Sequence, residues 1–376
     1  MNIYEQALQA HKQTKGKIFT GLRGEVNKES LRLYYSPGVG GVSLYAKDSP
    51  EKLKEVSWVN NLVAIISDGS AVLGLGDIGP EGAMPVMEGK AMLFKHFADI
   101  DAVPIVLNVH TPDEIVAVVK AIAPSFGGIN LEDIAAPKCF EIEERLKAEL
   151  TIPVMHDDQH GTAIVVLAGL INATKLVDGV SLADCSIVIV GSGAAGTAIA
   201  KLVSLYGAKD IVMVDSKGII GPKRTDLNDE KKKLLALNSL GRDGTFDDAV
   251  AGAQIFIGVS KAGILNAEHI KTMKNKPIIF ALANPEPEIM PDVAKAAGAY
   301  IVATGRADFP NQVNNSLGFP GIFRGALDHG VSKITDQHKI AAAEALAALV
   351  TNPTPDKIIP GPFDYGVVEA VANVIR

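Results

Sequence analysis

Residues 186–196 read SIVIVGSGAAG. Ser186–Val190 is a short, β-branched apolar run, the pattern of a strand buried on both faces. It leads directly into Gly191, Gly193 and Gly196, spaced G-x-G-x-x-G at the start of a helical stretch that reaches Tyr206. In that position Gly191 suits a tight turn, Gly193 lets backbone approach a pyrophosphate, and Gly196 permits close helix–strand packing. The loop Gly191, Ser192, Gly193, Ala194, Ala195, Gly196 would present N–H donors and a partial positive charge at the helix N-terminus. The next strand, Asp210–Val214, is followed by Asp215, 19 residues after Gly196, where an acid can bind ribose hydroxyls. The three glycines alone fit an ordinary βαβ turn, but strand, loop, helix, second strand and terminal acid in this order point to NAD or NADP. A site in mid-chain beside acidic clusters suits such a diffusing cosubstrate better than FAD.

Working outward, apolar strands recur at Gln254–Val259, Pro277–Ala281 and Tyr300–Ala303, separated by helical patterns, and an Ala-rich helix lies near Ile340–Val350. Strands alternating with helices predict a parallel, doubly wound sheet. Upstream, a second β/α pattern places strands at Pro104–Asn108, Ile129–Leu131 and Pro153–Met155, and helices at Lys90–Ala98, Pro112–Ala123, Pro137–Leu150 and Thr162–Leu176. Leu62–Ile66, the Asp68-Gly69 turn and Ala71–Leu75 read as a hairpin. The first forty residues read as mostly polar and helical. The chain of 376 residues is therefore expected to form two closely packed domains, 1–160 and 161–376, around a cleft.

Composition narrows the function. Net charge is −7 and aromatics make up 5%, which argues against a nucleic-acid binder. Two cysteines, Cys139 and Cys185, exclude a disulfide framework and a cysteine zinc site. The N-terminus lacks an apolar signal-peptide core, and the longest apolar run, Thr162–Ala173, is too short to span a bilayer. A soluble cytoplasmic protein with no membrane partner is expected.

Two acidic pairs sit at the ends of predicted strands: Glu132-Asp133 and Asp157-Asp158. Carboxylates without cysteine favour a hard cation, Mg²⁺ or Mn²⁺. Either pair alone would read as a solvated turn or a helix cap; two pairs beside a dinucleotide domain read as a metal site. Lys90 follows Glu88-Gly89 at an expected helix start, where the helix dipole and partial burial would lower its pKa towards that of a base. Spacing alone does not separate that reading from a surface lysine, nor Tyr35, before Ser36-Pro37-Gly38, from a packing tyrosine.

These residues fall within seven motifs: YYSPGVG (34–40), SDGSAVLGLGDIGPEGAMPVMEGK (67–90), NLEDIAAP (130–137), HDDQHGTA (156–163), GSGAAG (191–196), ANPEPEI (283–289) and NQVNNSLGFPG (311–321). In this order, over nearly the whole chain, they resemble malic enzyme in its short bacterial form. The resemblance implies an N-terminal α/β malic-enzyme domain followed by a Rossmann-type domain. It also implies divalent-metal-dependent oxidative decarboxylation of L-malate to pyruvate and CO₂, with reduction of NAD or NADP, in a homodimer. Matched by motif, Tyr35 is the general acid and Lys90 the general base. Glu132, Asp133 and Asp158 are the metal ligands, and Asp157 assists the lysine. Asn284 and Asn315 touch substrate and the nicotinamide side. One departure stands out: larger relatives carry a malate-binding arginine where this chain has Ala71, which leaves Arg306 and Arg324 as candidate replacements.

Two other functions remain to be separated: a metal-dependent oxaloacetate decarboxylase without net redox, and a non-catalytic dinucleotide sensor. Asp215 with an intact glycine loop argues against the first, and the joint presence of Tyr35, Lys90 and three ligand carboxylates against the second. Cofactor choice stays open. Asp215 favours NAD by repelling a 2′-phosphate, whereas Ser216, Lys217 and Lys231-Lys232-Lys233 would favour NADP. The lysine run also reads as a solvated helix face beside Asp229-Glu230.

Overall fold

The computed structural model describes residues 2–14, 16–72, 74–177 and 180–376. Two sheets organise them. The first has the order β2-β1-β3-β4, built from β1 (Leu62–Ser67), β2 (Asp101–Val106), β3 (Gly128–Leu131) and β4 (Val154–His156), all parallel. The second contains β5 (Ser186–Val190), β6 (Asp210–Asp215), β7 (Gly218–Ile219), β8 (Ile255–Gly258), β9 (Ile278–Ala281) and β10 (Ile301–Thr304). Its order is β10-β9-β8-β5-β6-β7, with only the short edge strand β7 antiparallel. This is the doubly wound Rossmann-type sheet expected from the sequence. Its order reverses at β5, which lies between β6 and β8, and ligands of such sheets bind at that switch point.

The glycine loop follows β5 into this crevice. Gly191 has φ of +113°, a conformation side chains rarely adopt, and a Cβ there would lie 2.6 Å from the Val259 carbonyl after β8. A Cβ on Gly196 would meet the Gly191 carbonyl at 1.9 Å, whereas one on Gly193 would face open space. Turn, open backbone and close packing thus fall on Gly191, Gly193 and Gly196 in the order the spacing predicted.

The expected hairpin does not form. β1 is buried along its whole length and pairs in parallel with β2 and β3. After it, the described residues of 71–76 (Leu73 lies outside them) carry a lone antiparallel bridge, Val72 to Gly76. The Asp-Gly turn gave a local hairpin signal, but a strand buried on both faces requires neighbours of higher sequence separation.

One helix ties the sheets together. Asp157–Lys175 begins directly after β4, so residue 160 lies inside it, and it is buried on nearly all sides. Its Ile164, Val166, Leu167 and Leu170 join a core that contains Val63 and Ile65 of the first sheet and Ile187, Ile189 and Phe280 of the second. The opposite faces of the two sheets have separate cores, one around Ile66, Ile129 and Ile142 and one around Val188, Val212 and Phe256. Within β5, residues 187 and 189 point one way and 188 and 190 the other, as strand alternation requires. Among the described residues, no helix is long and apolar enough to cross a membrane.

The N-terminal helices Ile3–Thr14, Lys28–Tyr34 and Val39–Asp48 behave differently. None has a buried residue, and Leu31, Leu33, Tyr34, Tyr35, Leu44 and Tyr45 are all exposed.

The contrast between Gly193 and Gly196 is testable. Gly196→Val forces side-chain carbons into the Gly191 carbonyl and should cost about 1–3 kcal/mol. Gly193→Ala should leave stability within about 0.5 kcal/mol, the range of substitutions that meet nothing. Urea unfolding of both variants reads the difference.

Candidate active site

The parallel register of the first sheet assembles the site. Leu131 pairs with His156, so the residues that follow, Glu132 and Asp157, emerge side by side at one sheet edge. Asp133, next along, adopts φ of +53°, and its N–H donates to Asp158 Oδ2 at 2.8 Å, tying the two acidic pairs together. Asn130, two residues before Glu132, donates from Nδ2 to Glu132 Oε2 at 2.8 Å.

Lys90 enters this cluster from the helix Gly79–Ala98. Its Nζ lies 2.6 Å from Asp157 Oδ2 and 2.8 Å from Glu132 Oε1, and 4.3 Å from the centre of the Phe319 ring. All three charged side chains are buried. The helix starts at Gly79, so Lys90 sits at its middle, where the dipole effect expected from a helix start is absent. The expected lowering of its pKa is corrected as well. Burial pulls the ammonium down, but Asp157, Glu132 and Asp158 more than offset this and hold it above its ordinary value. The carboxyls move in the opposite sense to a simple ion pair. Burial pushes Glu132 and Asp157 up to about 7 and Asp158 up to about 6, against the pull of Lys90 and with repulsion among the acids.

Glycine makes the room. A Cβ on Gly161, one turn beyond Asp157, would fall 1.8 Å from Asp157 Oδ1 and 3.2 Å from Asn315 Cβ. Asn315 therefore stands at the same carboxyl. Asn284, at the end of β9, approaches from the second sheet; a Cβ on Gly74 would lie 2.9 Å from its carbonyl. Lys90, Glu132, Asp133, Asp157, Asp158 and Asn315 are thus gathered, with Asn284 beside the 71–76 loop. Glu132, Asp133 and Asp158 each offer a carboxylate oxygen within 4.8 Å of the others. With Asp157 they make four acids around one ammonium. That excess of buried negative charge, presented by oxygen donors alone, fits a hard divalent cation.

The chain leaving this cluster leads to the crevice of the glycine loop. Ala136, Pro137 and Phe140, just beyond the Glu132-Asp133 pair, oppose Ser192 and Gly193 across a cavity of about 250 Å³ that Lys231 also lines. Asp215 is not a free acid there. Arg224 grips it with two nitrogens at 3.1 and 3.2 Å, and Lys231 donates at 2.6 Å. Burial raises the Asp215 carboxyl, but these donors outweigh it and hold it at about 2. The lysine run therefore divides: Lys232 and Lys233 pair with Asp229 and Glu230 on the solvated face, while Lys231 turns onto Asp215.

Tyr35 is not brought to the cluster. It caps the helix Lys28–Tyr34 with 71% of its surface exposed. Arg324 is committed elsewhere, to Asp328 and to Asn61 Oδ1 at 2.6 Å. Arg306 pairs with Asp308 and reaches the Pro285 carbonyl at 3.4 Å, next to Asn284. Sequence reading missed Asn130, Phe319 and Arg224. Strand alternation could have flagged Asn130, which shares a side of the extended chain with Glu132; nothing local marks the other two.

Two family profiles cover this architecture. The chain matches "Malic enzyme, N-terminal domain" over residues 12–114 and 109–147, and "Malic enzyme, NAD binding domain" over 159–364. The chain belongs to the malic enzyme family, a class of decarboxylating oxidoreductases. It is 53% identical over 380 residues to the bifunctional malic/malolactic enzyme of Bacillus subtilis, covering all of this chain and 92% of that one. It is 51% identical to the NAD-dependent malic enzyme of Geobacillus stearothermophilus, covering 96% and 76%. The crystal structure of the NAD-dependent malic enzyme of Thermotoga maritima superposes with a TM-score of 0.95 at 50% identity, over 98% of both chains. An NADP-dependent malic enzyme of Halomonas elongata is 44% identical over 99% of this chain and 92% of that one. None of these names supports the decarboxylase-only or sensor readings.

Lys90 gives a direct test of the cluster. Lys90→Ala strands Asp157 and Glu132 without a cation and should destabilise the metal-free protein by about 3–5 kcal/mol. Denaturant unfolding in a chelator measures it; a loss below about 1 kcal/mol would contradict the buried pairing.

Proposed function

We propose that the chain catalyses oxidative decarboxylation of L-malate to pyruvate and CO₂ with reduction of NAD or NADP, at the cluster of Lys90, Glu132, Asp133, Asp157 and Asp158. The observation that carries this reading is one buried lysine paired with two acids of a four-carboxylate cluster, whose continuing chain at Ala136, Pro137 and Phe140 shares a cavity with the glycine loop. Glu132, Asp133 and Asp158 would hold Mg²⁺ or Mn²⁺. When bound, the nicotinamide would supply an acceptor for the C2 hydride, and the cation would supply Lewis acidity at the C2 oxygen as CO₂ leaves. Lys90 takes the proton from the C2 hydroxyl. To do so it must first be neutral, and Asp157, 2.6 Å away, is the acceptor that would take its proton once the charge of a bound cation offsets the carboxylates that hold the ammonium protonated. Asn315 orients that carboxyl and, with Asn284, the substrate. Arg306, beside Asn284, takes the malate carboxylate left unserved by Ala71. Tyr35 protonates C3 after CO₂ has left.

We further propose a division into domains near residue 160, a reading supported by profile matches that end at 147 and resume at 159. A homodimer is proposed because the N-terminal helices expose an apolar face that a second copy would cover. Such packing would also deliver Tyr35, which is remote from its own cluster's contacts, to a site in the pair. A cytoplasmic location is supported by two free, buried cysteines.

The activity is read as malate-dependent absorbance of the reduced nicotinamide. Asp158→Ala should abolish it at ordinary Mg²⁺ or Mn²⁺ while dinucleotide binding is nearly unchanged. Wild-type turnover in that variant would remove the metal assignment.

For cofactor choice, Asp215→Ala frees Arg224 and Lys231 for a 2′-phosphate and removes a ribose acceptor. The ratio of kcat/KM for NADP to that for NAD should rise about tenfold, the worth of one charge-assisted contact. Initial rates with both cofactors check it, and an unchanged ratio would leave Asp215 a structural ion pair.

Lys90 and Tyr35 should each contribute about 10²–10⁴-fold. In stopped flow, Lys90→Ala should block nicotinamide reduction, while Tyr35→Phe should slow pyruvate formation and spare reduction. Random mixing of the two variants should restore about a quarter of wild-type activity if Tyr35 serves the partner's site. No restoration would place Tyr35 and Lys90 of one chain in the same site.

A further inference from the structure

A larger cavity lies behind the site, between the helices Lys138–Glu149 and Ala194–Leu205. Its volume is about 1010 Å³, at the upper end for small-molecule pockets. None of Lys90, Glu132, Asp133, Asp157 or Asp158 lines it. Gln159, His160, Lys147, Lys201 and Lys339 do, with Phe140 on one wall.

The donors in this cavity exceed the acceptors that engage them. Gln159 is buried, and its Nε2 has no hydrogen-bond partner. An amide N–H left so is costly unless something else accepts from it. Lys201 makes no ion pair among the described residues and lies 5.8 Å from the centre of the Phe140 ring. Lys147 has only Glu143, at 4.0 Å, beyond hydrogen-bond reach. Lys339 is buried with Asp336 as its partner at 2.9 Å; burial and then repulsion from Lys147 lower its pKa.

Four of the five acids lining the cavity are already used. Glu143 accepts from the His156 N–H at 3.1 Å and pairs with His160 Nε2 at 2.8 Å. Asp336 is taken by Lys339, Glu230 by Lys233 and Glu141 by Arg145. Glu144 is exposed at the rim. What remains is an orphaned buried amide, an exposed lysine with no ion pair among the described residues, and a loosely held, half-buried one.

We propose that this cavity binds a small multivalent oxyanion, a polycarboxylate or a phosphate, separately from malate. Its charge would sit between Lys147 and Lys201, with Gln159 donating to it. The proposal is independent of the chemistry assigned to the Lys90 cluster.

Calorimetric titration of the full chain with Mg²⁺ and no nicotinamide tests it, using tricarballylate and inorganic phosphate as separate probes. Each titration is run with and without saturating L-malate. At least one probe should bind, with malate leaving its affinity unchanged. The probe that binds identifies which of the two anions the cavity takes. Lys147→Met and Lys201→Met, both at positions not fully buried, should each weaken that binding about tenfold or more, the scale of one charge-assisted hydrogen bond. Their far-ultraviolet circular dichroism and melting temperatures should match wild type, so that a folding failure is recognised. Absence of binding by both probes at 10 mM (~10 mM being a generous ceiling for a specific anion site) would overturn the proposal. So would binding abolished by malate, which would place the anion in the Lys90 cluster, or binding that neither substitution weakens.

Discussion

The structure turns on the burial of one lysine among carboxylates. Lys90, Asp157 and Glu132 are all withdrawn from water, and each of these charges would be costly alone. Their mutual placement is fixed by backbone that nothing else would determine so tightly. The β3–β4 register sets Glu132 beside Asp157, the Asp133 N–H clasps Asp158, and Gly161 leaves space for the Asp157 carboxyl. The cluster still carries more negative than positive charge. The carboxyls accordingly hold their protons to higher pH than free acids do. A polypeptide optimised only for stability has no reason to retain such an arrangement, and strongly perturbed buried acids of this kind gather at functional sites.

How much of this was legible depended on the range of the interaction. The glycine loop was readable because strand, turn and helix are neighbours in sequence, and the three glycines fill three distinct local demands. The acidic pairs were readable because parallel strands bring their C-terminal ends to one edge, so acids that end strands become acids that meet. Lys90 was read wrongly in its surroundings. Gly89 looked like a helix start, whereas the helix runs from Gly79 and the contact to Asp157 spans 67 positions. The hairpin expected after β1 failed for a related reason, since a local turn signal was overridden by parallel neighbours. Arg224 on Asp215 lay beyond sequence pattern altogether, because the loop carrying it folds back across β6 and β7.

The candidates for the missing arginine show how tertiary context sorts equal sequence signals. Arg306 and Arg324 both lie near the second asparagine motif. Arg324 is consumed in bracing its helix against Asn61 and in pairing with Asp328 one turn along that helix, while Arg306 keeps company with Pro285 beside Asn284. The chemistry of the two side chains is identical, and only the element that carries each decides what it can reach.

The helix Asp157–Lys175 has a mechanical consequence. It is about 28 Å long, it is buried by both sheets, and its first turn carries Asp157 and Asp158. Neither half of the molecule can swing as a rigid body without dragging this rod, and with it the two acids. Entry of substrate and escape of product that leave both cores intact must therefore be carried by peripheral segments. Gly74 and the turn after β9, which meet at Asn284, lie among such peripheral segments, beside the acids at the tip of the rod.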